Sequence, residues 1–101
     1  MKNILLVCSA GMSTSLLVTK MEAAAATRGI ECHIEAVAEA DAANKVDNVD
    51  VLLLGPQVRF LLKKFQGLTE GKNVPVEVID SISYGTMNGD KVLSRALELI
   101  G

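Results

Sequence analysis

Tryptophan is absent from this 101-residue chain, and Phe60, Phe65 and Tyr84 are its only aromatic residues. Platforms for stacking nucleic-acid bases are therefore missing. The chain has no run of Lys and Arg and a formal net charge of −2, so it also lacks the basic footprint of a nucleic-acid binder. No apolar stretch approaches the roughly 20 residues that cross a bilayer. The first apolar run starts at Ile4, which leaves no room ahead of it for a signal peptide. The expectation is a cytoplasmic protein that does not itself span a membrane. Cys8 and Cys32 are the only cysteines, and no CxxC occurs, so neither a disulfide framework nor a zinc site is expected. His33 is the single histidine. It adjoins Cys32, and neighbouring residues of a strand face opposite ways, so the two cannot share a metal. No Ser-His-Asp or Cys-His dyad is supported, and no cofactor is expected.

Half of the residues are hydrophobic, enough for one compact domain over residues 1–101. The organising stretch is residues 3–15, NILLVCSAGMSTS. Ile4, Leu5, Leu6 and Val7 form an uncharged apolar run, as in a strand buried on both faces. Cys8 ends it, a small polar loop follows, and helical spacing begins at Leu16. Leu17, Met21, Ala24, Ala25 and Arg28 keep that spacing until Gly29 stops it. Residues 31–38 (ECHIEAVA) alternate as in an edge strand with one wet face. Residues 39–45 suggest a short helix or turn. Residues 50–54 (DVLLL) and 74–79 (VPVEVI) are two further apolar strands. Gly55-Pro56 opens a helix between them that turns Val58, Leu61, Leu62 and Phe65 inward. Residues 80–89 read as a loop, and residues 90–100 as a last helix. Strands alternating with helices imply an α/β fold with an open four-stranded parallel sheet, helices on both faces. A central first strand and an edge second strand give the order 2-1-3-4. Ligands of such sheets bind beyond the strand ends where the order reverses, here between the Cys8 loop and the Gly55-Pro56-Gln57 turn.

The loop itself suits an anion. Small side chains and Gly11 allow backbone N–H groups to converge, and the helix start adds unpaired N–H groups and a positive dipole end. That field favours thiolate over thiol at Cys8. On spacing alone, two readings of Cys8 stand evenly: a buried small hydrophobe, or a nucleophile attacking a phosphorylated group. A low-molecular-weight tyrosine phosphatase carries an arginine six residues after its cysteine; here that position is Thr14, and no Lys or Arg occurs between Lys2 and Lys20. Without a guanidinium to stabilise water attack, a phosphate on sulfur would persist until a better acceptor arrives. The pattern favours a relay over a hydrolase.

Residues 8–18 (CSAGMSTSLLV) closely resemble the phosphocysteine loop of the IIB component of the sugar phosphotransferase system, lactose/cellobiose type. Residues 54–57 (LGPQ) and 76–85 (VEVIDSISYG) are similar to that family too, and the cellobiose or chitobiose branch fits best. The resemblance implies a phosphatase-like fold and a phosphotransferase in sugar import. Cys8 would accept phosphate from a phosphohistidine of a IIA component and pass it to a sugar held by a membrane IIC component. The phosphate would lie among Ser9, Ala10, Gly11, Met12, Ser13, Thr14 and Ser15, with Met12 also turned to the docking surface. The hydroxyls of residues 13–15 double as caps of the first helix. Three further residues keep two roles each. Gln57 reaches the phosphate or is solvated; Asp80 donates a proton or caps a loop; Tyr84 touches the site or a partner, or packs. A monomer is expected. The alternatives are a phosphatase-like hydrolase and a thiol-based regulatory module that binds an anion.

Overall fold

The computed structural model describes residues 1–9 and 11–101, with backbone alone at 11–13. Strand β1 (Lys2–Cys8) carries the apolar run, and Ile4, Leu5, Leu6 and Val7 are at most 1% exposed. A strand with no polar side chain in its middle needs cover on both faces, and β1 receives it at the centre of the sheet. It pairs in parallel with β2 (Cys32–Ala38) on one side and β3 (Val51–Leu54) on the other. Strand β4 (Val76–Val78) adds to β3. The order is β2-β1-β3-β4, as expected.

The period of two divides the core. Ile4 and Leu6 face the same side as Val51 and Leu53, under helices α1 (Gly11–Arg28) and α5 (Gly89–Ile100). Helix α1 contributes Leu17, Met21 and Ala25, and α5 contributes Val92, Leu93 and Ala96. Leu5 and Val7 face the other side with Leu52 and Leu54. That side is covered by Ala42 of α2 (Glu39–Ala43), Val46, Val58, Leu61, and Phe65 of α3 (Leu62–Leu68). A fully buried Leu or Phe contributes about 1.5–3 kcal/mol. A surface ion pair such as Arg28–Asp90 contributes about 1 kcal/mol at most. Packing on the two faces of β1 therefore decides the fold.

Several expectations are refined. Helix α1 starts at Gly11, well before Leu16, so residues 13–15 lie inside it instead of capping it. The helix after Gly55 is a 3-10 segment, Pro56–Leu61, leading into α3; non-helical dihedrals at Val58 mark the junction. The edge strand β2 has a less uniform wet face than its alternation suggests, since Val37 packs against the second apolar cluster. The stretch 80–89 contains a short helix, α4 (Ser81–Gly85). Asp80 caps it: its Oδ2 accepts hydrogen bonds from the Ser83 amide at 2.9 Å and the Ser83 hydroxyl at 3.0 Å. Such a cap satisfies an N–H that a short helix cannot satisfy internally, which no apolar period reveals.

At Gly89 the start of α5 lies directly against the backbone of α1. A Cβ there would lie 2.4 Å from the Lys20 carbonyl carbon and 2.6 Å from the Met21 amide nitrogen. Both are backbone atoms, so neither can swing aside. Gly89→Ala is expected to destabilise the protein by about 1–3 kcal/mol or more through overpacking, read as a lowered denaturation midpoint. An unchanged midpoint would mean that the helices separate without cost.

The Ser83 amide holds the Asp80 carboxyl below the usual carboxylate range. A depressed folded-state pKa contributes stability above the unfolded value, lost as pH falls through the folded one. Asp80→Ala should therefore lower the melting temperature at pH 7, and the gap to wild type should close under strongly acidic conditions. A gap independent of pH would assign the loss to something other than the carboxylate.

Candidate functional site at the end of the central strand

Cys8 is the last residue of β1, where chain leaves the sheet between two neighbours. It is 3% exposed, yet among the described residues it belongs to neither apolar cluster. Its Sγ lies 3.9 Å from the Val37 carbonyl oxygen, with the thiol proton directed to that oxygen. Ser9 is exposed. Ala10 and the side chains of Met12 and Ser13, all expected on the phosphate, lie outside the described residues. Helix α1 follows three positions after the sulfur, at Gly11. The amides of residues 11–13 have no acceptor within a helix that starts there, and its dipole places partial positive charge at the same end. Those groups suit an anion.

The hydroxyls after them part company. Ser15 is exposed, and its carbonyl accepts a hydrogen bond from Thr19. Thr14 is fully buried, and its Oγ1 lies 3.1 Å from the Tyr84 hydroxyl. Its side chain is turned into the protein, because the fourth position of α1 falls on the inner face of that helix. Thr14 stands where a phosphatase would carry arginine, and it is spent on an internal contact.

The other wall is the turn after β3. The Gly55 amide donates to the Val7 carbonyl at 2.9 Å, which ties this turn to the residue before Cys8. A Cβ on Gly55 would stand 2.9 Å from Gln57 Oε1 and 3.6 Å from the Tyr84 ring. A side chain there would displace the Gln57 amide while meeting the Tyr84 ring at ordinary contact distance. Gln57 Nε2 in turn donates to the Tyr84 hydroxyl at 3.2 Å. Gln57 and Tyr84, named from the sequence, are thus brought together with Thr14. Asp80 is engaged as the cap of α4, and with its carboxyl held ionised at neutral pH it is poorly suited to donate a proton. The Gly55-Pro56-Gln57 turn was placed beside the site from the sequence, whereas the Val37 carbonyl was missed. The Val37 contact depends on pairing between β1 and β2, which no local signal carries.

The remaining candidates lie elsewhere. Cys32 pairs with Lys2 and Cys8 with Ala38 in the same ladder, six residues apart, so the sulfurs are separated by about 20 Å along the strands. His33 is on the outer part of β2, 3.8 Å from a Glu35 oxygen. Lys45 also pairs with Glu35 and is the main reason its carboxyl sits below the usual range. Among the described residues, no three His, Cys, Asp or Glu side chains converge as a metal site would require. No described helix is long and apolar enough to cross a membrane.

Comparison with known proteins joins this geometry to a family. The family of lactose/cellobiose-specific IIB subunits of the phosphotransferase system matches residues 3–95. The oligo-beta-mannoside-specific EIIB component of Bacillus subtilis is 46% identical over 100 residues, spanning 99% of this chain and 97% of that one. The cellobiose-specific EIIB component of Lactococcus lactis subsp. lactis is 47% identical over 104 residues, spanning 98% and 96%. The solution structure of a cellobiose-specific IIB component protein from Borrelia burgdorferi superposes with a TM-score of 0.81 at 49% identity, over 98% of this chain and 91% of that one. A lactose-specific IIB domain from Streptococcus pneumoniae shares the fold with a TM-score of 0.86, at only 17% identity, over 96% and 95%. A parallel sheet ordered 2-1-3-4, a cysteine at its switch point and these relatives agree: the chain belongs to the lactose/cellobiose-specific IIB subunits of the sugar phosphotransferase system.

Proposed function

We propose that this IIB subunit carries a phosphoryl group on Cys8 during uptake of a beta-glucoside-type disaccharide of the cellobiose or chitobiose class. It works in the cytoplasm, as a monomer, between a IIA component and a membrane IIC component. The observation that carries the reading is the position of Cys8: the end of the central strand, three residues ahead of a helix start. In the first step the sulfur attacks the phosphorus of a IIA phosphohistidine in line. An S–P bond forms, the P–N bond breaks, and the thiol proton ends on the departing imidazole. In the second, a sugar hydroxyl displaces the sulfur, an O–P bond forms, and the hydroxyl proton returns to the thiolate. The amides at the start of α1, next to Ser9, hold the dianion between the steps. With Thr14 in place of an arginine, water receives little help.

Both partners must approach the same sulfur, so one surface serves both. Leu16, Phe60 and Ile82 are 49%, 75% and 73% exposed, and they sit on the elements that leave β1, β3 and β4. Large apolar side chains in water fit a contact surface. Met12 is assigned to the same surface.

Incubation with a histidine-phosphorylated IIA component should add the mass of one phosphoryl group, and Cys8→Ser should abolish it. Rapid release of free phosphate without accumulation would instead indicate a hydrolase, as would turnover of an aryl phosphate. No phosphate on the protein or in solution would leave an anion-binding regulator.

A further inference from the structure

The Tyr84 hydroxyl joins two segments that are far apart in sequence and stand on either side of Cys8. Thr14, on the first full turn of α1, lies 3.1 Å from it, and Gln57, in the turn after β3, donates to it at 3.2 Å. Thr14 is fully buried and Tyr84 is 7% exposed, so their mutual contact is shielded from water, while Gln57 lies at the exposed side of the link. Gln57 supplies one N–H to the Tyr84 hydroxyl, and the proton between Tyr84 and Thr14 belongs to one of the two hydroxyls. Tyr84 is itself anchored by α4, where Asp80 caps the turn that presents it. No cation is available in the stretch from Asn3 to Thr19 to gather a phosphate. Amide geometry must then do that work, and amide geometry depends on where α1 begins.

We infer that Tyr84 is a positioning residue for phosphoryl transfer: its hydroxyl sets the start of α1, through Thr14, against the Gly55-Pro56-Gln57 turn, through Gln57. This rests on the proposal that Cys8 carries the phosphate. Tyr84 touches neither sulfur nor phosphate in this role. A purely structural hydroxyl would affect melting alone. A positioning hydroxyl affects the rate at saturating donor, because a small displacement of the amides is felt most in the transition state.

The test uses the intact protein with a histidine-phosphorylated IIA component as donor, and measures the transfer rate, its KM for donor, and the melting temperature. Tyr84→Phe keeps the ring in the core, and Thr14→Val keeps the buried methyl. Each is expected to slow transfer at saturating donor by about tenfold, with KM unchanged and the protein still folded at the assay temperature. The double variant should be no slower than Tyr84→Phe alone, since loss of the Tyr84 hydroxyl already removes its contact with Thr14 as well as that with Gln57. Thr14→Ser, which keeps the hydroxyl, should restore the rate. Full transfer rates in folded Tyr84→Phe would overturn the positioning role, as would losses that multiply in the double variant. Wild-type protein that takes no phosphate on Cys8 would overturn the carrier reading and this role together, whereas phosphorylated wild type beside an unimpaired Tyr84→Phe would overturn this role alone.

Discussion

A strand buried on both faces can turn a side chain out of its two apolar clusters only at its end, and that constraint governs this protein. β1 has neighbours in the sheet on both edges and apolar cover above and below. Its backbone is committed to two ladders, and its side chains to two clusters. At Cys8 those commitments stop together. The chain then departs under α1 on one face, while the chain leaving β3 passes to the opposite face. The gap between those departures holds the sulfur. It exists because the order of strands reverses there.

What makes the gap specific is economy of charge. A phosphatase-like arrangement with an arginine would stabilise the transition state for both formation and hydrolysis of a phosphocysteine. In the present chain the corresponding residue is Thr14, bound to Tyr84 in the interior. On the proposed carrier role the anion falls to backbone amides, which are fixed donors without a flexible stem. Their aim is set by packing at a distance: Leu17 and Met21 on the sheet, and Gly89 against the backbone of Lys20 and Met21. The Arg28 guanidinium at the far end of α1 reaches Asp90 and Ser94. These contacts hold α1 in place on the sheet along its length.

Exposure on this end of the sheet has a matching logic. Most large apolar side chains are absorbed by the two clusters, yet Phe60 and Ile82 remain in water on segments next to the Gly55 turn and Tyr84. The lysines and arginines are placed differently. Arg95 binds Glu77 and holds its carboxyl below the usual range, and Lys45 does the same for Glu35, both away from Cys8.

The sequence alone determined the strands, their order, and the place of Cys8, because each rests on a local signal. An uncharged run of four must be covered twice, alternation marks an edge, and a small-residue loop after a cysteine marks a strand end. Leu17, Met21, Val58 and Phe65 were legible as core for the same reason of period. The tertiary structure alone decided what helix phase and strand register decide. Counting from Leu16 misplaced the start of α1, since Gly, Ser and Thr carry no apolar period. Thr14 was expected on the phosphate, and only the docking of α1 shows its hydroxyl turned to Tyr84, 70 residues away. The helix around Tyr84 was read as loop, because its stability comes from the Asp80 cap and not from pattern. Partners distant in sequence leave no mark on the residues beside them.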